Sequence, residues 1–550
     1  MPMGEPPVPH HSRLILAHLW TAFSAFGVAI LLGLWQMWVR SPLAAPLSSA
    51  ENYFISVTAH GAAMGYVLTT FFIMGFGYFV AETALNRPLP FPKLAWAAFY
   101  AGIIGVLLVV TTVLSGRATV LFTFYPPLTA SPWFYLGLVL VVVSSWVWCV
   151  LMLVAMAGWK RANPGKSVSL SMFATTANAV LWLWTTIGVA VELLFVVIPA
   201  AFGWTDTVDV GLTRTLFSWT LHAIVYFWLV PAYIAFYTLA PQRAGGRLYS
   251  DLMARISFVA FLIFGLPVGL HHLFMDPHPS SGFKAVQMVL TVLVALPTLL
   301  TVFTVCASME IAGRLRGGKG LLGWVGALPW KEPMVLATGL SFFMLWFGGF
   351  GGLINMSYGM NAMVHNTSWV TAHFHMIFGG SVVIMYFAIA YEIWPKLTGR
   401  AAPSLALQRW QLWSWAVGMM ILSMPWHLLG MFGQWRRVAQ FDYSDPNIAW
   451  WAPWMIASLI GGAIMVLSAG LFISNLAVFH MRSRTFSSAS NTMQYAVPLH
   501  PGATLPAALN GFRLWNILVL ILMAAAYVVP IAQSFIVKAP QAAVHRVNGK

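Results

Sequence analysis

Thirteen apolar runs, each long enough to cross a lipid bilayer, follow one another along this 550-residue chain with no long polar insert. A spanning helix needs about 20 apolar residues, and within lipid a backbone must satisfy its own hydrogen bonds. The runs therefore predict helices near 14–39, 54–84, 95–115, 131–158, 171–199, 212–241, 252–275, 283–313, 333–355, 366–394, 408–433, 451–480 and 512–537. Charged residues make up 7% of the chain and hydrophobic ones 60%, against about 25% charged in a soluble domain. The expected fold is all-α: a polytopic transmembrane bundle of about 13 helices forming one membrane domain over 1–550. The polar ends, 1–12 and 538–550, are expected to be mobile. The first run is too long for a signal-peptide core and reads as a membrane helix.

The chain has 28 Lys and Arg against 13 Asp and Glu, a net charge of +15. In a soluble protein that excess would suggest nucleic acid. Here the bases sit in short loops, so topology explains them and no nucleic-acid partner is expected. Loops after even-numbered helices hold most of them, including Lys160, Arg161, Arg243, Arg247, Arg314, Arg316, Arg482 and Arg484. The positive-inside rule then places the N-terminus in the cytoplasm and the C-terminus outside. Arg436 and Arg437 break this pattern, and could hold the acidic groups of a cofactor or be an ordinary interfacial pair. The two cysteines, Cys149 and Cys306, both lie in apolar runs and cannot form a Cys-rich metal site.

Within the tenth run, Trp369-Val370-Thr371-Ala372-His373-Phe374-His375 carries two histidines that are costly in lipid unless partnered. Residues i and i+2 on a helix point about 200° apart. His373 and His375 thus face opposite ways, and one helix would serve two separate metal centres. The plainer alternative is a pair of buried histidines with local hydrogen bonds. Depth separates the two readings. His60, His222, His271, His272, His373 and His375 all fall in the outer half of the membrane, within one or two helical turns of a common plane. Independent core histidines would scatter, so the layer argues for metal or haem in the bundle. Two axial histidines saturate an electron-transfer haem, one leaves a haem open, and three suit a copper ion. His271 and His272 reach one metal only where their helix is irregular, which Gly265, Pro267 and Gly269 supply. His18 and His480 lie away from the layer and read as structural.

Below the layer, Tyr226, Tyr233 and Tyr237 follow His222 at offsets of 4, 11 and 15 residues. These fall within about 60° of His222 around the helix, so all four share a face. Thr298, Thr301 and Thr304 form a second stripe at matching depth. Together they read as a proton-conducting chain of hydroxyls from the cytoplasm, although such threonines often bond only their own backbone.

These residues resemble subunit I of the haem–copper oxidase superfamily over essentially the whole chain. The matching pieces are His60, His222-x-x-x-Tyr226, His271-His272 and His373-Phe374-His375. Phe122-Thr123-Phe124-Tyr125-Pro126-Pro127, the segment from Val225 to Tyr233 and His365-Asn366-Thr367-Ser368-Trp369-Val370 are most similar to the B-type cytochrome c oxidases. The resemblance implies that His60 and His375 are axial ligands of a low-spin haem, of b or a type. His373 would be the proximal ligand of a high-spin haem of a type, and His222, His271 and His272 would hold the active-site copper, CuB. Tyr226 is similar to the tyrosine joined covalently to the first copper histidine, supplying an electron and a proton to split O2. Tyr233, Tyr237, Thr298, Thr301 and Thr304 match the family's proton channel. Arg436, Arg437, His365 and Asn361 stand where relatives contact haem propionates.

The implied protein is a terminal oxidase in a bacterial or archaeal cytoplasmic (inner) membrane. It reduces O2 to water with electrons from cytochrome c and couples this to proton movement. No Cys-x-x-x-Cys pair is present, so a dinuclear copper entry site is expected on a partner subunit II, or else electrons enter from quinol. Three departures stand out. Ala223 replaces the usual proline after the first copper histidine, and Ile224 stands where A-type enzymes carry a glutamate. Asn361 replaces an aspartate near the high-spin haem propionate, which bears on pumping. A nitric oxide reductase of the same superfamily is the nearest alternative. Such enzymes usually lack the tyrosine, so Tyr226 argues against it. A transporter relaying protons through its histidines is the alternative from another class.

Overall fold

A computed structural model describes residues 10–400, 404–481, 493–500, 505–536 and 541–546. Arg482, Arg484 and most of the two polar ends fall outside the described residues. The chain is a helical bundle. Its helices are α1 (Ser12–Arg40), α2 (Ala50–Leu85), α3 (Pro92–Leu114), α4 (Pro132–Ala162), α5 (Leu170–Phe202) and α6 (Val210–Arg243). They continue with α7 (Asp251–Gly265), α8 (Ser281–Leu315), α9 (Pro333–Met356), α10 (Ser368–Thr398), α11 (Leu405–Met431), α12 (Ala452–Met481) and α13 (Arg513–Ile536). Among the described residues, twelve helices are long and apolar enough to cross a membrane.

The seventh differs from expectation. The sequence predicts a helix over 252–275, but α7 stops at Gly265 after 15 residues. Pro267 has no N–H to continue the ladder, and the chain resumes as a 3-10 turn over Gly269–Leu273. A Cβ on Gly269 would collide with the Ser218 carbonyl of α6 and the Tyr527 hydroxyl of α13. Only glycine fits that close approach. Gly269 N–H donates to the Tyr527 hydroxyl at 3.1 Å, and Gln287 on α8 donates to the Pro267 carbonyl at 3.1 Å. The broken end is thereby held against α6.

Three helices carry a π-helical segment: Ala63–Leu68 in α2, Leu193–Val197 in α5 and His375–Val382 in α10. Such wide turns are rare and frequent at functional sites. Helix starts are capped as sequence chemistry predicts. Asp209 Oδ1 accepts from Leu212 N–H at 2.9 Å and the Ser250 hydroxyl from Met253 N–H at 3.2 Å. The interior is aromatic. Phe72 stacks on Tyr386 at 3.8 Å and Trp182 on Phe227 at 3.9 Å.

Residues 541–546 form a strap that pairs with two loops. β3 (Ala542–Ala543) runs antiparallel to β2 (Thr207–Val208), and β4 (His545–Arg546) runs parallel to β1 (Leu128–Thr129). Arg546 fixes the strap by an ion pair to Asp206 at 2.9 Å.

Gly269→Ala is expected to lower the thermal unfolding midpoint, because overpacking against backbone costs about 1–3 kcal/mol or more. Gly349→Ala, with nothing within 4 Å of its new Cβ, is the control and should leave the midpoint unchanged. Equal midpoints for the two variants would contradict the packing account.

Candidate metal centres

Five of the six histidines expected to form a layer come together as a pair, His60 with His375 of α10, and a cluster of three, His222, His271 and His272; the sixth, His373 of α10, neighbours the cluster. On one side the rings of His60 and His375 lie parallel, 6.4 Å between centroids and 13° between planes. A metal–imidazole bond is about 2 Å and a ring centroid lies about an ångström behind its nitrogen, so two ligands facing across one metal are about 6 Å apart. The observed spacing fits a haem iron between them. Each ring is held by its other nitrogen. His60 Nδ1 donates to the Ala29 carbonyl at 2.8 Å and His375 Nδ1 to the Thr371 carbonyl at 2.8 Å. That leaves Nε2 as the free lone pair, the arrangement buried ligands require.

On the other side His222, His271 and His272 offer ligand nitrogens that all lie within 4.8 Å of one another. The tautomers follow from their neighbours. The Thr291 hydroxyl gives its hydrogen to the Gln287 carbonyl at 2.6 Å, so at 3.1 Å it accepts from His271 Nδ1. His271 Nε2 is then free to bind metal. His222 Nε2 is engaged by the Tyr226 hydroxyl at 2.9 Å, which leaves Nδ1 for a metal. His272 Nε2 is buried with no protein partner. A buried polar atom left so costs about 1–3 kcal/mol, which a metal bond would offset. The donor set is three neutral imidazoles with no carboxylate, chemistry that suits copper.

His373 lies on the side of the three-histidine cluster, near enough to act electrostatically on all three of these histidines. Its Nδ1 donates to the Gly348 carbonyl of α9 at 2.7 Å. Gly352 makes room for the ring, since a Cβ there would stand 3.1 Å from His373 Cε1. The residue between the two ligands, Phe374, packs edge-on to His375 at 6.0 Å.

The hydroxyl stripes meet in two rungs. Tyr233 donates to Thr298 at 3.1 Å and Tyr237 to Thr301 at 2.7 Å. Thr304 bonds only the Leu300 carbonyl of its own helix, at 2.8 Å. Tyr226 and Tyr233 share a packing partner in Phe261, but no direct hydrogen bond joins them.

Beyond the helix ends, Arg436 and Arg437 face the same region without a carboxylate partner among the described residues. Burial and the neighbouring Arg437 charge pull Arg436 down to about 9. Burial, then Arg436, Arg214 and Arg437, pulls His365 down to about 4. Arg436 donates to Asn366 Oδ1 at 3.0 Å. Asn361 is buried; its amide donates to the Asn355 carbonyl at 2.7 Å and its Oδ1 has no partner. Uncompensated guanidinium charge of this kind fits carboxylate groups such as haem propionates.

Several contributing residues were not singled out from the sequence. Thr291 and Gln287 fix the copper-side turn, yet Thr291 stands one heptad before Thr298 and so shares its helix face. Tyr125 lies under the Arg214 guanidinium at 4.9 Å. His427 on α11 packs edge-on to Trp369 at 4.9 Å with its Nε2 unpartnered. His18, by contrast, lies among Phe71, Tyr78 and Phe99, away from both groups as expected.

The chain is similar to known proteins over most of its length. A family model described as cytochrome C and quinol oxidase polypeptide I matches residues 13–464. Cytochrome c oxidase subunit 1 of Thermus thermophilus is 37% identical over 497 residues, covering 89% of this chain and 88% of that protein. The subunit of the same name from Thermostichus vulcanus is 28% identical over 488 residues, covering 85% and 83%. A solved heme-copper terminal oxidase dimer superposes with a TM-score of 0.92 at 32% identity, covering 98% of this chain and 95% of that one. With its haem- and copper-compatible histidines and this breadth of likeness, the chain belongs to the haem–copper oxidase family as subunit I.

Proposed function

We propose that this multi-pass membrane protein, a terminal oxidase catalytic subunit, works as a B-type cytochrome c oxidase. Its family uses haems, copper, O2 and a partner subunit II. The finer reading is that electrons enter from cytochrome c through a dinuclear copper site on that subunit. His60 and His375 would hold a low-spin haem of b or a type, His373 a high-spin haem of a type, and His222, His271 and His272 a copper ion. When bound, the haems pass electrons and the haem–copper pair holds and reduces O2. The observation that carries this reading is the division by α10 of a parallel histidine pair from a three-histidine cluster.

The chain's own groups do the rest. Main-chain carbonyls at Ala29, Gly348 and Thr371 orient three imidazoles. Tyr226, at 2.9 Å from His222, is placed to supply an electron and a proton. The Tyr233–Thr298 and Tyr237–Thr301 rungs deliver protons from the cytoplasm. Arg436 and Arg437, with His365 and Asn361 beside them, hold propionates at the outer face. The N-terminus lies in the cytoplasm, and the membrane is a bacterial or archaeal cytoplasmic (inner) membrane. Turnover moves charge across it. A nitric oxide reductase is disfavoured, because a phenol and no carboxylate accompanies the three histidines.

Purified complex should consume O2 with reduced cytochrome c as donor; no consumption with any donor would contradict the oxidase reading. Tyr226→Phe keeps the ring and removes the proton, and should cut turnover by about 10² or more while both haem spectra persist. Unchanged turnover would remove Tyr226 from the chemistry. Thr301→Val removes a hydroxyl with an inter-helix partner and should slow turnover about tenfold. Thr304→Val removes one bonded only to its own helix and should have the smaller effect. The reverse order, measured as O2 consumption, would redirect the proton route.

A further inference from the structure

Glu192 is a carboxylic acid in the middle of a membrane helix, and nothing above uses it. It sits on α5 where the π-helical segment Leu193–Val197 begins. It is 0% exposed, and neither carboxyl oxygen has a hydrogen-bond partner. The flanking Val189 and Leu193 belong to a second apolar cluster, distinct from the main core. That cluster includes Ala62, Tyr135 and Phe217, with Tyr66 and Tyr125 packed against it. No charged side chain acts on Glu192. The titratable groups that do feel it are three tyrosines: Tyr66 from α2, Tyr135 from α4 and Tyr125 from the loop between α3 and α4.

Tyr125 links this acid to the propionate-binding end. Its ring packs on the apolar cluster that holds Val189 and Leu193 and lies under the Arg214 guanidinium at 4.9 Å, and Glu192, Arg437 and Arg436 are within electrostatic reach of it. Other acids nearby are already committed. Asp276 pairs with Arg214 at 2.7 Å, and Asp209 caps α6. Asn361 is neutral. An unpaired ionised carboxylate is costly in apolar surroundings, so the fold accommodates the protonated form unless positive charge nearby increases. Ionisable residues kept inside membranes at such cost mark proton pathways more often than packing.

We propose that Glu192 is a proton-exchanging acid coupled to the redox state of the haems. It holds its proton when the haems are reduced and releases it toward the Tyr125–arginine end when they are oxidised and more positive. The exchange breaks and remakes one O–H bond. The proton leaves to the outer aqueous side and is replaced from the chain's proton supply when electrons return. This rests on the proposed coupling of turnover to charge movement.

The test is redox-difference infrared spectroscopy of the purified complex in H2O and D2O. The expected result is a protonated-carboxyl C=O band that shifts in D2O, is absent in Glu192→Gln and returns displaced in Glu192→Asp. A normal visible haem spectrum certifies that each variant has folded. In vesicles, Glu192→Gln should release less than half the wild-type protons per electron. Superimposable wild-type and Glu192→Gln infrared spectra overturn the proposal, as does wild-type proton release by Glu192→Gln. If the wild type releases no protons, the coupling of turnover to charge movement fails, and the infrared band alone decides Glu192.

Discussion

His60, His271, His373 and His375 each put their two ring nitrogens to different use. One turns to main chain or hydroxyl, and the other turns inward with a free lone pair. His60, His373 and His375 donate to the carbonyls of Ala29, Gly348 and Thr371, and His271 donates to Thr291. A donor left unmade at such a site costs about 1–3 kcal/mol, so the ring orientation is enforced by hydrogen bonding before any metal arrives. The helices supply these anchors at defined heights, and much of the fold follows from bringing them to one layer. Gly269 lets the turn bearing His271 and His272 reach α6, and Gln287 fastens that turn from α8.

Much of this was legible in the residues. The 200° separation of His373 and His375 anticipates their division between two groups, and helical arithmetic from His222 anticipates that Tyr226, Tyr233 and Tyr237 share a face. The bundle itself is legible because about 20 apolar residues in lipid have few folds open to them. What was not legible depends on long-range packing. The early stop of α7 reflects Pro267 together with a close approach to Ser218 that no local signal encodes. The π-helical turns leave no composition mark. The strap at 541–546 is short and polar, and its strands exist only because loops at 128–129 and 207–208 pair with it. Of the hydroxyl stripe, two rungs span helices, whereas Thr304 turned to its own backbone. Nothing in spacing alone separates those outcomes.

Electrostatics gives the two ends of the bundle interior different work. Around Tyr233 and Tyr237, neutral hydroxyls can pass a proton without holding charge. At the other end, Arg436 and Arg437 gather positive charge with no carboxylate partner among the described residues, and Tyr125 is within electrostatic reach of both and of Glu192.

The central claim is that α10 separates a two-histidine haem site from a haem–copper pair. Metal analysis of the purified complex, normalised to this chain, tests it most directly. Two haem irons and one copper per chain are expected, with a reduced-minus-oxidised spectrum showing one low-spin and one high-spin haem. Copper-free protein with a third, non-haem iron would contradict it and return the chain to the nitric oxide reductase branch.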